Sequence, residues 1–236
     1  PAISSEPGGQ GRPIDEELED GGYALWPKEY PLTKLRQIRK TLGEYAWWSL
    51  FQGMPRPRGE GLFKEPARYD PKEFTWTGKR GVIVCDPAAT AKTTADYSAI
   101  VIAAIEGFGM LSRMYIVEVL RFQDTIPVVV RELLKLQVDY KLYIGVEAVG
   151  GFKAVPQMLR DADNKLRIVD ITPHGDKFTR AQPVAAAWND GRVLVPLGDM
   201  AYRPVSQRWV RWDVEAYLDE LGRFTGVSDV HDDQVD

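Results

Sequence analysis

The stretch GVIVCDPAATAKTTADYSAIVIAAI, residues 81–105, decides how this chain folds. Val82, Ile83, Val84 and Cys85 make an apolar, β-branched run of the kind a buried strand requires. The run stops abruptly on Asp86. A loop of small residues, Thr and Lys follows, and a second apolar run spans Tyr97 to Ile105. A carboxylate at the tip of a core strand is costly unless something compensates it, and a bound cation is the usual compensation. Further acids able to reach the same point are therefore the feature to look for. Two later stretches supply them, one ending on Glu147 and one carrying Asp232 and Asp233.

Outward from that stretch, 236 residues with 44% hydrophobic content make enough material for one large domain, or one domain with an appendage. A net charge of −4 argues against a protein that coats DNA passively, because phosphate binding draws on clustered Lys and Arg. It does not argue against an enzyme whose acids hold metal ions. The single cysteine, Cys85, excludes disulfides within the chain and fits a reducing compartment. No apolar run reaches the length of a membrane span, and no signal peptide opens the sequence. The chain starts on Pro1 and stops on Asp236 inside an acidic motif, so a piece of a longer protein, truncated at the C-terminus, is expected.

Residues 1–22 are rich in Gly, Pro, Ser and acids and read as a flexible linker or arm. Residues 23–80 read as a separate joining segment. Within it, Leu32 to Gln52 has helical spacing, with Leu35, Ile38, Leu42, Tyr45, Trp48 and Leu50 largely on one side. Trp47 and Trp48 are expected to dock that helix onto a neighbour rather than to stack on bases.

Residues 81–236 read as one α/β domain. Apolar runs at 81–85, 97–105 and 113–120 predict an antiparallel meander. A helix is predicted from Ile126 to Val138, then a strand from Leu142 that ends on Glu147. Helices at Phe152–Asp161 and Thr179–Asn189, strands at Arg167–Ile171 and Arg192–Val195, and a long helix from Pro204 to Leu221 complete the pattern. A meander followed by a crossover helix returns the next strand parallel to the first. Asp86 and Glu147 then end adjacent parallel strands, at the edge where open α/β sheets place their sites.

Taken singly, each acid has an ordinary explanation: Asp86 as a turn cap, Glu147 as a surface carboxylate, Asp232 and Asp233 as acids at a helix N-terminus. Taken as a set they suit a divalent cation. Oxygen donors with one Cys and two His, His174 and His231, favour Mg2+ or Mn2+ over zinc. Two such ions about 4 Å apart activate water and stabilise the leaving oxygen of a phosphodiester.

The set CDPA, TADYSA, YIGVEAVGGF and HDDQVD resembles the nuclease domain of the large terminase subunit of tailed bacteriophages. LWPKEYP and FQGMPRPRGEGLFK resemble that family's join between ATPase and nuclease, and HGDKFTRAQPVAAAWNDGRVLVP resembles its basic segment before the last acidic motif. The resemblance implies a ribonuclease H-like mixed sheet, meander plus parallel strands, flanked by helices. It also implies metal-dependent cleavage of concatemeric double-stranded viral DNA during head filling.

Carried over by position, Asp86 is the central ligand, Glu147 the second acid, and Asp232 and Asp233 the third. Asp96 and His231 are accessory candidates, and Lys177, Arg180, Lys92, Arg203, Arg208 and Arg211 are candidate DNA contacts. Double-stranded DNA is the implied partner, with an ATPase domain, portal protein and small terminase subunit in the full-length protein and the host cell cytoplasm as its place of action. No phosphate loop of the Gly-x-x-x-x-Gly-Lys-Ser/Thr type occurs, so no ATPase activity is expected of this chain itself. Competing readings are another ribonuclease H-fold nuclease, resolvase or transposase with the same acids, and a non-enzymatic docking module whose acids only cap.

Overall fold

The computed structural model describes residues 3–4, 23–51, 62–88 and 97–224. A two-residue pairing of β1 (Ile3–Ser4) with β2 (Tyr23–Ala24) precedes helix α1 (Leu32–Ala46), which closes in a π-helical turn at Trp47–Phe51. Strands β3 (Ala67–Tyr69), β4 (Lys79–Asp86), β5 (Ser98–Glu106) and β6 (Arg113–Phe122) follow, then α2 (Ile126–Tyr140) and β7 (Tyr143–Glu147). A 3-10 turn at Gly150–Lys153 leads into α3 (Ala154–Ala162), followed by β8 (Ile168–Ile171), α4 (Lys177–Asn189) and β9 (Val193–Pro196). Strands β10 (Met200–Arg203) and β11 (Arg208–Arg211) form a hairpin ahead of α5 (Val214–Arg223).

Seven strands share one sheet in the order β3-β9-β6-β5-β4-β7-β8. The β4–β5 and β5–β6 pairs are antiparallel and every other pair is parallel. This is the meander-plus-parallel arrangement that the apolar runs predict. Strands β4, β6, β7 and β8 all run in one direction, so their carboxyl ends lie at one edge of the sheet, together with the start of β5.

Connection handedness assigns the two faces. The crossovers β6–α2–β7 and β7–α3–β8 step one way along the sheet, and β8–α4–β9 steps back. Right-handed crossovers therefore place α2 and α3 on one face and α4 on the other. On the α2 face, Ile83, Cys85, Ile100, Ile102, Ile144 and Val146 are fully buried. At about 25 cal/mol per Å2 of apolar surface, this continuous layer is the main source of the fold's stability.

Three differences from the sequence reading have physical reasons. The helix expected from Pro204 to Leu221 is a hairpin followed by α5. Gln207 turns the chain in the left-handed region at φ 52°, and Tyr202 faces Trp209 across the ladder with ring centroids 5.2 Å apart. The Asp213 carboxylate then starts α5 afresh by accepting from the Ala216 N–H at 2.9 Å.

Residues 62–80 also belong to the sheet body. β3 is an edge strand paired with β9, and Phe63 packs edge-on against Trp188, whose indole N–H donates to the Lys64 carbonyl at 2.7 Å. Finally, the helix expected over Leu32 to Gln52 is an α-helix to Ala46 and π-helical from Trp47 to Phe51, where Trp47, buried with Leu32 and Leu35, stacks on Phe51. The arm expected at 1–22 and the Pro- and Arg-rich stretch at 53–59 lie almost entirely outside the described residues.

Candidate functional site

Strand register brings the first two predicted acids together. Val82 to Cys85 of β4 pair in parallel with Tyr143 to Val146 of β7, which sets Asp86 beside Glu147 at the next position. Side chains alternate between faces along a strand, so Asp86 and Glu147 emerge on the same face of strands about 4.8 Å apart. That face is the one opposite Cys85 and α2. Two carboxylates held this close repel each other, and both are partly exposed at the carboxyl edge of the sheet. Burial, and then the negative charge of Asp86, push the Cys85 thiol well above its ordinary range, so Cys85 is a core residue rather than a nucleophile.

The site's frame is tied at several points. Parallel pairing continues past Glu147, because the Ala148 N–H donates to the Ile171 carbonyl at 2.9 Å. Gly145, on the same face as the acids, leaves space that the Ile171 side chain fills: a Cβ there would lie 2.7 Å from Cδ1 of Ile171 and would displace that methyl. On the β5 side the ladder ends with Asp86 opposite Ala99. Beyond it, the Ser98 hydroxyl accepts from the Ala88 N–H at 2.9 Å and donates to the Ala88 carbonyl at 3.3 Å.

Positive charge gathers on the same face and edge. α4 follows the carboxyl end of β8, so its first turn, with Lys177 and Arg180, opens at the edge that carries the acids. Asp176 caps that helix, accepting from the Thr179 N–H at 2.9 Å and the Thr179 hydroxyl at 3.0 Å. Arg121 lies opposite Ala99 in the ladder and therefore on the acids' face. Its guanidinium stacks 3.6 Å from the Tyr97 ring centroid and meets Glu220 of α5 at 3.4 Å. That contact brings the last turn of α5 to the same edge. Lys153, exposed in the turn after β7, adds a charge at this edge of the sheet, where the chain passes over to α3 on the α2 face. Sequence reading passed over Arg121 and Lys153; the signal was their position just before and just after the strand ends of the site edge.

Arg203 does not belong to this surface. Its guanidinium is buried on the α2 face, where Nη2 and Nε donate to Glu118 at 2.5 and 3.0 Å and Nη1 donates to Asp139 at 2.9 Å. The Tyr140 hydroxyl donates to the same Glu118 at 2.6 Å. Arg208 joins this network through Asp139 at 3.3 Å, and Arg211 lies 3.5 Å from Asp199. Of the candidate DNA contacts here, Arg203 is thus taken into an ion network that seats the β10–β11 hairpin, whereas the Arg208 and Arg211 side chains stay exposed on that hairpin. These residues sit on a hairpin whose tip reaches α2, since the Val205 N–H donates to the Asp139 carbonyl at 3.1 Å.

Asp96, Lys92, His231, Asp232 and Asp233 lie outside the described residues. Among the described residues no group of three or more His, Cys, Asp and Glu is arranged to hold a metal. The Asp86–Glu147 pair nevertheless fits part of such a site: it offers only hard oxygen donors, from two adjacent backbones, at a solvent-facing edge. No helix among the described residues is long and apolar enough to cross a membrane.

The family model described as the terminase RNase H-like domain matches residues 83–236. No curated protein matches the chain. Among solved structures, the human cytomegalovirus terminase nuclease domain is similar at 15% identity and TM-score 0.48, over 71% of this chain and 85% of that one. The zinc-bound large terminase nuclease of thermophilic phage G20c is similar at 20% identity and TM-score 0.45, over 73% and 81%. The P22 large terminase nuclease domain is similar at 12% identity and TM-score 0.43, over 67% and 87%.

Proposed function

Since the chain belongs to the family of terminase RNase H-like domains, we propose that it is the nuclease part of a viral DNA-packaging motor, cutting concatemeric double-stranded DNA by divalent-metal-dependent phosphodiester hydrolysis. The observation that carries this reading is the placement of Asp86 and Glu147 on one face at the ends of adjacent parallel strands. Asp86 and Glu147, with Asp232 and Asp233 of the terminal segment, are the residues that would hold Mg2+ or Mn2+. Two ions held by these carboxylates would supply an activated water and neutralise the leaving oxygen. Lys177 and Arg180 at the start of α4, with Lys153, offer cationic donors to backbone phosphates on either side of the scissile bond. Phosphate contacts of this kind position the duplex without reading its sequence, so largely sequence-independent cutting is expected. In the full-length protein, an ATPase domain, the portal protein and the small terminase subunit, acting in the host cytoplasm, would deliver the substrate.

The test is Asp86→Asn, with plasmid cleavage and melting temperature measured on one preparation. Wild type should nick and linearise plasmid with Mn2+ or Mg2+, and EDTA should abolish it. The variant should lose cleavage by orders of magnitude and keep or gain stability, because removing one of two repelling carboxylates relieves the metal-free site. A destabilised variant that still cuts would identify Asp86 as a turn cap and overturn the reading.

A further inference from the structure

Strand β4 needs something to hold its end. Asp86 is its last paired residue, opposite Ala99. The next residue, Pro87, has no N–H and cannot extend the ladder. Strand ends without continuing hydrogen bonds open at the lowest free-energy cost in a fold. Here that end carries the carboxylate whose direction matters most. Ser98 takes over where the ladder stops. It is the first residue of β5, fully buried on the face opposite Asp86. Its hydroxyl both accepts from the Ala88 N–H at 2.9 Å and donates to the Ala88 carbonyl at 3.3 Å. Asp86 is thereby held between a backbone rung on one side and a side-chain tie two residues later.

We infer that Ser98 is a positioning residue for the metal-holding carboxylate of Asp86, acting through the backbone of Ala88. The inference rests on the proposed metal site. Ser98 itself touches neither metal nor substrate. Its fully buried hydroxyl serves both polar groups of the half-buried Ala88, and leaving such groups unpaired away from water is costly. Outer partners that orient a ligand typically contribute 10- to 100-fold in metal affinity or activity, and an effect of that size is expected here.

Ser98→Thr and Ser98→Val test it as a pair. Both add the same bulk and β-branching, and they differ only in a hydroxyl against a methyl. Ser98→Ala, which adds no bulk, serves as the third variant. Mn2+ binding is read by electron paramagnetic resonance of the unbound ion, beside melting temperature and the Mn2+ concentration for half-maximal plasmid cleavage. Ser98→Thr should stay within about threefold of wild type. Ser98→Val and Ser98→Ala should bind Mn2+ at least tenfold more weakly, with the cleavage curve displaced to higher Mn2+ by the same factor. Val and Thr variants with equal Mn2+ affinity, or an Ala variant that binds as wild type does, would overturn the positioning role. Asp86→Asn in the same titration separates the premise from the inference: if it binds Mn2+ as tightly as wild type, the metal site itself is wrong, whatever Ser98 does.

Discussion

Replacing Arg203 with Met should unseat the β10–β11 hairpin rather than weaken DNA binding. Arg203 makes charge-assisted bonds to Glu118 at 2.5 and 3.0 Å and to Asp139 at 2.9 Å. The Glu118 side chain is only 2% exposed, so its charge cannot turn to water when the partner is removed. The Tyr140 hydroxyl would be the one partner shown to remain to it. Three charged hydrogen bonds at about 1.5–3 kcal/mol each would sum to more than the expected loss, because the structure relaxes and Met fills part of the space. Breaking one side of a buried ion pair costs about 3–5 kcal/mol. For a chain of this size each kcal/mol moves the melting temperature by roughly 2–4 °C, so a fall on the order of 10 °C is expected. Urea unfolding followed by tryptophan fluorescence, with melting temperature alongside, measures it. Replacing the whole network by apolar residues (Arg203→Met, Glu118→Leu, Asp139→Leu and Tyr140→Phe together) should recover much of the loss, since no buried charge is then left unpaired. A single Arg203→Met variant that melts like wild type but loses DNA affinity would refute the assignment and return Arg203 to the DNA surface.

Two further outcomes follow from neighbouring contacts. Burial pushes the Asp139 carboxyl up, but hydrogen bonds from Ser206 and Arg203 and the charges of Arg203 and Arg208 outweigh it and hold the group below its ordinary value. A lowered folded value means the unfolded state takes up the proton first, so this contribution is present above about pH 4, where a free Asp titrates, and is lost as pH falls through the lowered value. In acid titrations of stability, Asp139→Asn should start lower at neutral pH and show a shallower slope below that point; parallel curves would show that Asp139 does not titrate with folding. Asp176→Ala removes the cap of α4 and should cost about 1 kcal/mol. Because Lys177 and Arg180 ride on that first turn, DNA affinity at low salt should fall with it, measured by fluorescence anisotropy; unchanged affinity would detach α4 from the DNA surface.

How much of this was legible in the sequence depended on the range of the interactions involved. The apolar runs around Val82 to Cys85, Tyr97 to Ile105 and Arg113 to Leu120 are local signals, and they determined the meander. A right-handed crossover helix then allowed Glu147 to lie beside Asp86, but the free edge of β6, which β9 occupies, was equally open to β7, and only the folded sheet decided between them. The hairpin at 200–211 was harder. Its Arg and Trp spacing suits a helix face, and the signal against it, the Asp213 cap, is a single residue. The fate of Arg203 was out of reach: Glu118 and Asp139 lie 85 and 64 residues away in the chain, and only folding brings them within hydrogen-bonding distance. The Ser98 tie is short-range in the chain, yet it exists only because antiparallel pairing returns β5 to the end of β4. Composition and periodicity thus determined the meander, the strand that follows it and the acids that end β4 and β7. Which charges face the solvent and which are sealed in the core was decided by tertiary packing, because burial depends on what the rest of the chain lays over a residue and not on the residue itself.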